Sequence, residues 1–254
     1  MSRNPLGDSS LTAISKLLGL KLKTLTLSHC FFTKSLFQEG RHEFSNKLEG
    51  SPLKNLDLSG NQFGSIGVEI MFKCLPISLA KLNLSNCISS SERLQENPGI
   101  VKGLQSWASR DNPDLDVSVL NLSSLGIYDA NIPQLTDALF HMGCLVSLDL
   151  SASNIGPHGI VKILEALVSH NVPLLHLYVK VGPDMDDTWK TYDGEEIQDM
   201  FDRLFSSNSI DHLESFTLPI FSSSMTLNQV WDSFWKDRSR HEKDGLGHIC
   251  WSVV

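Results

Sequence analysis

Apolar and polar positions alternate in one short frame that recurs seven times along this chain. Each copy reads L-x-x-L-x-L: Leu22/Leu25/Leu27, Leu53/Leu56/Leu58, Leu79/Leu82/Leu84, Val117/Leu120/Leu122, Leu145/Leu148/Leu150, Leu174/Leu177/Val179 and Leu213/Phe216/Leu218. The last two apolar residues of a copy are two apart, the spacing of side chains on one face of a strand. The middle ones stand at 25, 56, 82, 120, 148, 177 and 216, so the steps are 31, 26, 38, 28, 29 and 39 residues. Between copies the apolar spacing changes to three and four, which predicts helices with one buried face. Ile66, Ile70 and Leu75 follow the second copy, with Val68, Met71 and Phe72 close by. Ile132, Leu135, Leu139 and Phe140 follow the fourth; Ile160, Ile163, Leu164, Leu167 and Val168 follow the fifth. A step of 28 or 29 residues leaves room for a strand, a turn and about three turns of α-helix.

A strand–loop–helix unit repeated in this way predicts an α/β solenoid. Its parallel strands line the concave face and its helices the convex one. The loops repeat too. Leu56-Asp-Leu-Ser-Gly-Asn-Gln-Phe-Gly64 aligns without a gap with Leu148-Asp-Leu-Ser-Ala-Ser-Asn-Ile-Gly156. Three residues after the last strand leucine stand Cys30, Asn61, Cys87 and Ser153, side chains suited to satisfying backbone groups where the chain turns. Gly64 and Gly156 are expected in conformations that a β-carbon forbids.

On these motifs the chain resembles the ribonuclease-inhibitor-like subfamily of leucine-rich repeats over roughly residues 4–220. The resemblance is specific as to fold and unspecific as to function, because such repeats serve many binding tasks. It divides the chain into a repeat domain, 1–220, and a C-terminal segment, 221–254, where Val230, Trp231, Phe234 and Trp235 have the spacing of a capping helix before a polar tail. Asn4-Pro-Leu-Gly7 aligns with Asn61-Gln-Phe-Gly64, and Leu11, Ile14, Leu17 and Leu18 supply the next helix, so the chain starts in mid-repeat. An uncapped solenoid end exposes apolar surface and strand edges. The expectation is a fragment, isoform or shortened version of a longer protein; an unusually short natural start is the other reading.

Two steps are about ten residues too long. The first spans Ser89 to Asp116, with turn signals at Asn97-Pro-Gly99 and Asp111-Asn-Pro113 around a helix ending near Trp107. The second spans Val181 to Glu196 and carries Asp184, Asp186, Asp187 and Asp193 with Trp189 and Tyr192. Insertions in repeat proteins become loops on one face, often the binding face, and a tolerated surface loop is the bland alternative. The acidic loop lacks the later bidentate glutamate and the turn glycine of a calcium-binding EF-hand loop, so no metal is expected.

Charge and cysteines narrow the function classes. A formal net charge of −8 argues against a nucleic-acid surface. Lys21/Lys23 and Lys236/Arg238/Arg240/Lys243 are the densest basic groupings, and the latter is interleaved with Asp237, Glu242 and Asp244. The five cysteines (Cys30, Cys74, Cys87, Cys144 and Cys250) are odd in number and form no C-x-x-C pair. They read as reduced, buried thiols of a nuclear or cytoplasmic protein, with Cys30 and Cys144 in the core. No apolar run is long enough for a membrane span, and no signal-peptide core stands at the N-terminus. Asn83-Leu-Ser85 and Asn121-Leu-Ser123 match the glycosylation pattern only because the strand motif writes it.

Chemistry is sparse. His29-Cys30, His141/Cys144 and His248/Cys250 are the only His/Cys approaches, and none completes a zinc pattern. Gly156-Pro-His-Gly159 is a turn into a helix, without the ending of a phosphate loop. Catalytic residues, metal, cofactor and small-molecule substrate are all expected to be none. The expected partner is a protein. The outward columns of the sheet are Thr26, Asp57, Asn83, Asn121, Asp149, Tyr178, Thr217 and Ser28, Ser59, Ser85, Ser123, Ser151, Lys180, Pro219. Most are small and polar, whereas interface hot spots favour Trp, Tyr and Arg. The C-terminal end is the better candidate: His176 and Tyr178, Lys180, Asp186, Asp187, Trp189 and Tyr192.

A narrower resemblance rests on His29-Cys-Phe-Phe-Thr33, on Asn4-Pro-Leu-Gly7 and on the mid-repeat start. These are similar to the C-terminal leucine-rich repeats of Tonsoku-like proteins. The resemblance implies a non-catalytic nuclear scaffold in replication-fork repair whose repeats bind a subunit of a homologous-recombination complex. The histone-binding ankyrin repeats of that family have no counterpart here, so histone binding is not carried over. An enzyme inhibitor or innate-immunity regulator using the same surface is the alternative. A tight inhibitor should show aromatic residues along the concave face, which this chain lacks.

Overall fold

Each of the seven copies of the frame forms a strand, and the strands join in chain order. A computed structural model describes residues 2–18, 21–37, 42–110, 115–170, 172–179, 199 and 215–217. The strands are β1 (Thr24–Thr26), β2 (Asn55–Asp57), β3 (Lys81–Asn83), β4 (Val119–Asn121), β5 (Ser147–Asp149), β6 (His176–Tyr178) and β7 (Ser215–Thr217). All neighbours are parallel, and the middle apolar residues form one line: Leu25, Leu56, Leu82, Leu120, Leu148, Leu177 and Phe216. A one-residue slip would have turned every leucine outward, so the register follows from the apolar pattern.

Between the strands run α1 (Leu11–Leu18), α2 (His42–Glu49), α3 (Gly64–Cys74), α4 (Ser90–Arg93), α5 (Pro98–Ala108), α6 (Ile132–Phe140) and α7 (Pro157–Ser169). Successive helices pack side by side, α3 on α5, α5 on α6 and α6 on α7. Strand leucines and the inner helix faces form one continuous core. A parallel sheet on one side with a layer of helices on the other is the leucine-rich-repeat solenoid expected from the sequence. The segment 221–254 lies outside the described residues.

Local signals place the helices. Proline occupies the first turn of α5, α6 and α7, where its missing N–H costs nothing. The long step between β3 and β4 holds two helices: a single turn, α4, closed by a Ser89/Glu92 capping box, and then α5. The carboxy end of α3 is capped from the next repeat, by the residue that follows α5. The Arg110 guanidinium donates to the carbonyls of Phe72, Lys73 and Leu75 at 3.1, 2.7 and 3.1 Å and pairs with Glu49 at 3.1 Å.

Three expectations are corrected. The buried face of α3 is Gly67, Val68, Met71 and Phe72, and Ile66 is 61% exposed, so the helix is rotated from the Ile66/Ile70 phase. Phe140 likewise ends α6 on the solvent side. Cys144 is exposed in the turn after α6, although Cys30 and Cys87 are fully buried as expected.

Candidate partner-binding face

The ends of β2 to β5 are built from the outward column. Asp57 Oδ1 accepts the Ser59 N–H at 3.0 Å, Asn83 Oδ1 that of Ser85 at 3.0 Å, Asn121 Oδ1 that of Ser123 at 2.9 Å and Asp149 Oδ1 that of Ser151 at 2.9 Å. A short Asp or Asn side chain that bonds the backbone two residues on closes a turn. These polar residues are therefore engaged in ending the strand. Asn121 Nδ2 also donates to Asp149 Oδ2 at 3.0 Å, tying two repeats together.

The following residues interlock the repeats. Arg3, His29, Gly60, Asn86 and Ser124 donate their N–H groups to the carbonyls of Ser28, Ser59, Ser85, Ser123 and Ser151 at 2.8 to 3.0 Å. Each of these five donors has φ between 53° and 68°. Ala152 continues the line with φ 53°. The left-handed turn is thus a requirement of the repeat, filled by glycine once and by asparagine once. A non-glycine side chain there costs about 1–2 kcal/mol. Gly64 takes φ 68° as expected, but Gly156 does not: its φ is −84°, and its N–H goes to the Asp129 carboxylate instead of a backbone carbonyl.

One position deeper, Asn61 is buried and makes four bonds. Its Oδ1 accepts the N–H groups of Cys30 and Phe32 at 3.0 and 3.1 Å, and its Nδ2 donates to the carbonyls of Leu27 and Leu58 at 2.9 and 2.7 Å. Cys87 replaces it one repeat on, with its thiol 3.3 Å from the Leu58 carbonyl. Burial pushes the Cys87 thiol up to about 12, so it stays protonated and inert. Ser153 is buried at the same repeat position with no hydrogen-bond partner for its hydroxyl.

Carboxylates clasp neighbouring repeats where helices begin. Glu92 accepts the Ser65 N–H at 2.9 Å and the Ser89 N–H at 2.9 Å. Burial raises its pKa, but these bonds outweigh that and hold it below the usual glutamate value. Asp8 accepts the Thr33 N–H at 3.0 Å and hydroxyl at 2.6 Å, together with the Ser35 hydroxyl. Asp129 accepts the Gly156 N–H at 2.9 Å; burial pushes its carboxyl up, against the Gly156 bond, His158 and Lys162.

Tyr178 breaks the column of turn-closing residues. It stands on β6 where β5 has Asp149 and β7 has Thr217. Its ring stacks on that of His176, centroids 6.4 Å apart and planes at 17°. Both side chains are half-buried. Of the residues proposed from sequence for partner binding, the structure places His176 and Tyr178, both on β6. Lys180, Asp186, Asp187, Trp189 and Tyr192 lie outside the described residues.

Sequence reading passed over two groupings. The register sets Lys23 beside Lys54, since the Lys23 carbonyl accepts the Lys54 N–H; Lys81, whose N–H goes to the Lys54 carbonyl, pairs with Asn55. Asp116 lies 3.7 Å from Lys54. Phe31, 59% exposed, is the other: it sits in the loop after β1 with φ 61°. The signal for Lys23 and Lys54 was the shared frame, which aligns them; nothing in the sequence marked Phe31 as left-handed. Among the described residues no group of three metal-ligating side chains forms, and no helix is long and apolar enough to cross a membrane.

The Leucine Rich Repeat family model matches residues 52–74, the β2–α3 unit. The chain is 33% identical over 183 residues to a Tonsoku-like protein of Danio rerio, covering 70% of this chain and 12% of that protein. It is 29% identical over 198 residues to a Tonsoku-like protein of Mus musculus, covering 74% of this chain and 14% of that one. The chain thus spans roughly an eighth of the length of these two relatives. Among solved structures, Leiomodin-1 Actin-Binding Site 2 aligns with a TM-score of 0.35 and 18% identity, over 66% of this chain and 89% of that one.

Proposed function

We propose that this leucine-rich-repeat chain is a non-catalytic interaction module that captures a protein partner at the C-terminal part of its sheet. The observation that carries the reading is the change of the outward column at β6. Through β2 to β5 that column holds Asp or Asn committed to turns; at β6 it holds Tyr178, stacked on His176. An aromatic pair on an otherwise small and polar face supplies contact area at low conformational cost. Lys180, Asp186, Asp187, Trp189 and Tyr192 follow directly in sequence and extend the proposed surface.

Likeness to segments of two Tonsoku-like proteins supports a finer proposal: a nuclear scaffold in replication-fork repair whose repeats hold a subunit of a homologous-recombination complex. The aromatic-poor central face gives no support to the inhibitor or innate-immunity alternative.

The test is capture of purified homologous-recombination subunits by the intact chain and by a Tyr178→Ala/Trp189→Ala/Tyr192→Ala variant. Binding lost in the variant at unchanged melting temperature is expected. If an Asp57→Ala/Asn83→Ala/Asn121→Ala variant loses binding and the aromatic variant keeps it, the site is on the central sheet instead.

A further inference from the structure

The loop after β1 spends conformational freedom on exposed side chains, and a second loop of the same chain shows that it need not. Ser124 and Gly126, after β4, have φ 60° and 61°; His29 and Phe31, after β1, have φ 53° and 61°. The two loops match further, since Thr33 bridges Gln62 as Tyr128 bridges Asn154, each in the next repeat. Phe31 therefore stands where the equivalent loop has glycine, in a conformation that bulky residues rarely adopt.

Burial does not explain the exchange. Phe32, its neighbour, fills the core at 1% exposure, whereas the Phe31 side chain stays largely in water. His29 and Lys34 stand two and three residues from it along the chain, and the Arg3 N–H bonds the Ser28 carbonyl where that loop begins; all three side chains are exposed. Arg3 and His29 occupy left-handed positions of their own. The His29 ring lies over Gly60, where an added β-carbon would come within 2.3 Å of it, so the next repeat leaves room for this side chain. Asp8 is bonded to Thr33 and Ser35.

We propose that the loop edge formed by Arg3, His29, Phe31 and Lys34 is a docking surface for an acidic polypeptide segment that packs an apolar side chain on the Phe31 ring. The aromatic ring supplies the contact area and the cations the orientation. Arg3, His29 and Lys34 complement an acidic strand of a partner, on a chain whose overall charge of −8 would repel a longer polyanion such as nucleic acid. This surface is separate from Tyr178, five strands away, and does not depend on the reading of the sheet face.

The test uses the full chain and a panel of fluorescein-labelled 12-residue peptides that alternate Glu with Leu, Ile or Phe. Their Gln-for-Glu counterparts and a 12-nucleotide single-stranded DNA are the comparators. Binding of the acidic peptides should weaken by about tenfold or more in Phe31→Gly, and similarly in Arg3→Glu/Lys34→Glu, with little change in Tyr178→Ala. Phe31→Gly should not lower the melting temperature, because glycine suits the left-handed position. Four results would overturn the proposal: no peptide of the panel binds; the Gln peptides bind as well; Phe31→Gly binds as well as the parent; or the DNA binds more tightly and is lost with the same substitutions.

Discussion

The central strands β2–β5 and the strands on either side of them share one backbone and spend their side chains differently. In the centre, Asp57, Asn83, Asn121 and Asp149 each close the turn that ends their own strand, and Asn61 holds two repeats with four bonds. At the flanks the same frame carries Phe31 in a costly exposed conformation after β1 and Tyr178 in place of a turn-closing residue on β6. A repeat is stable when every turn is satisfied locally. Positions that give up that satisfaction, or hold strain, are where a repeat protein has something other than stability to supply.

The core is common to both regions, and substitutions there should erase the contrast altogether. Leu56 and Leu148 lie on one line of the sheet and are 2% and 0% exposed. Leu56→Asp or Leu148→Asp should each cost several kcal/mol, roughly 5 or more, and unfold the stack, because a buried charge finds no partner among leucines. A thermal melt matching the parent's would show that these residues are not core.

Next in size is Asn61. Asn61→Ala strands the N–H groups of Cys30 and Phe32 and two carbonyls in the interior, and should cost about 3 kcal/mol. Denaturant titration reads the loss directly. A change below about 1 kcal/mol would mean that the neighbouring repeats re-satisfy those groups without it.

A closer comparison sets Asp149 against Tyr178, adjacent residues of one column. Asp149→Ala removes a turn bond and the link from Asn121, and should lower stability by about 1 kcal/mol. Tyr178→Ala breaks no turn bond and should change stability by less than about 0.5 kcal/mol while weakening partner capture. Equal stability losses at the two sites would remove the distinction between centre and flank.

Much of this was legible in the sequence, for physical reasons. The leucine frame specifies register because slipping a strand by one residue exposes its buried face. All seven middle residues, from Leu25 to Phe216, consequently fall on one line. Helix phase was less legible. α3 carries apolar residues on more than one side, and its packing in the stack decides that Val68 and Met71 are buried and Ile66 is not. The gap-free match of Gly64 with Gly156 also misled. The conformation at 156 follows from a carboxylate 27 residues upstream, Asp129, which no local alignment contains. The candidate site was legible at Tyr178 as a break in a column. Phe31 was not, since a left-handed φ leaves no mark on the residue that adopts it.

The smallest expected effects come from the carboxylates that clasp the repeats, and they differ in sign. Glu92 is held below its ordinary value of 4.5, because the Ser65 and Ser89 hydrogen bonds outweigh the burial that would raise it. It contributes stability above that value, which is lost as the pH falls through its folded pKa. Asp129 is pushed by burial above its ordinary value of 3.8. Its ionised form burdens the fold, so the contribution is present below that value and is lost as the pH rises through the folded pKa. Glu92→Gln should therefore destabilise at neutral pH and approach neutrality in acid. Asp129→Asn retains an oxygen for the Gly156 N–H and should stabilise at neutral pH, with the gain fading in acid. Melting temperatures of the parent and both variants between about pH 3 and pH 7 read the two trends. Parallel trends would mean that hydrogen bonding governs both clasps and that the burial of Asp129 is relieved by solvent.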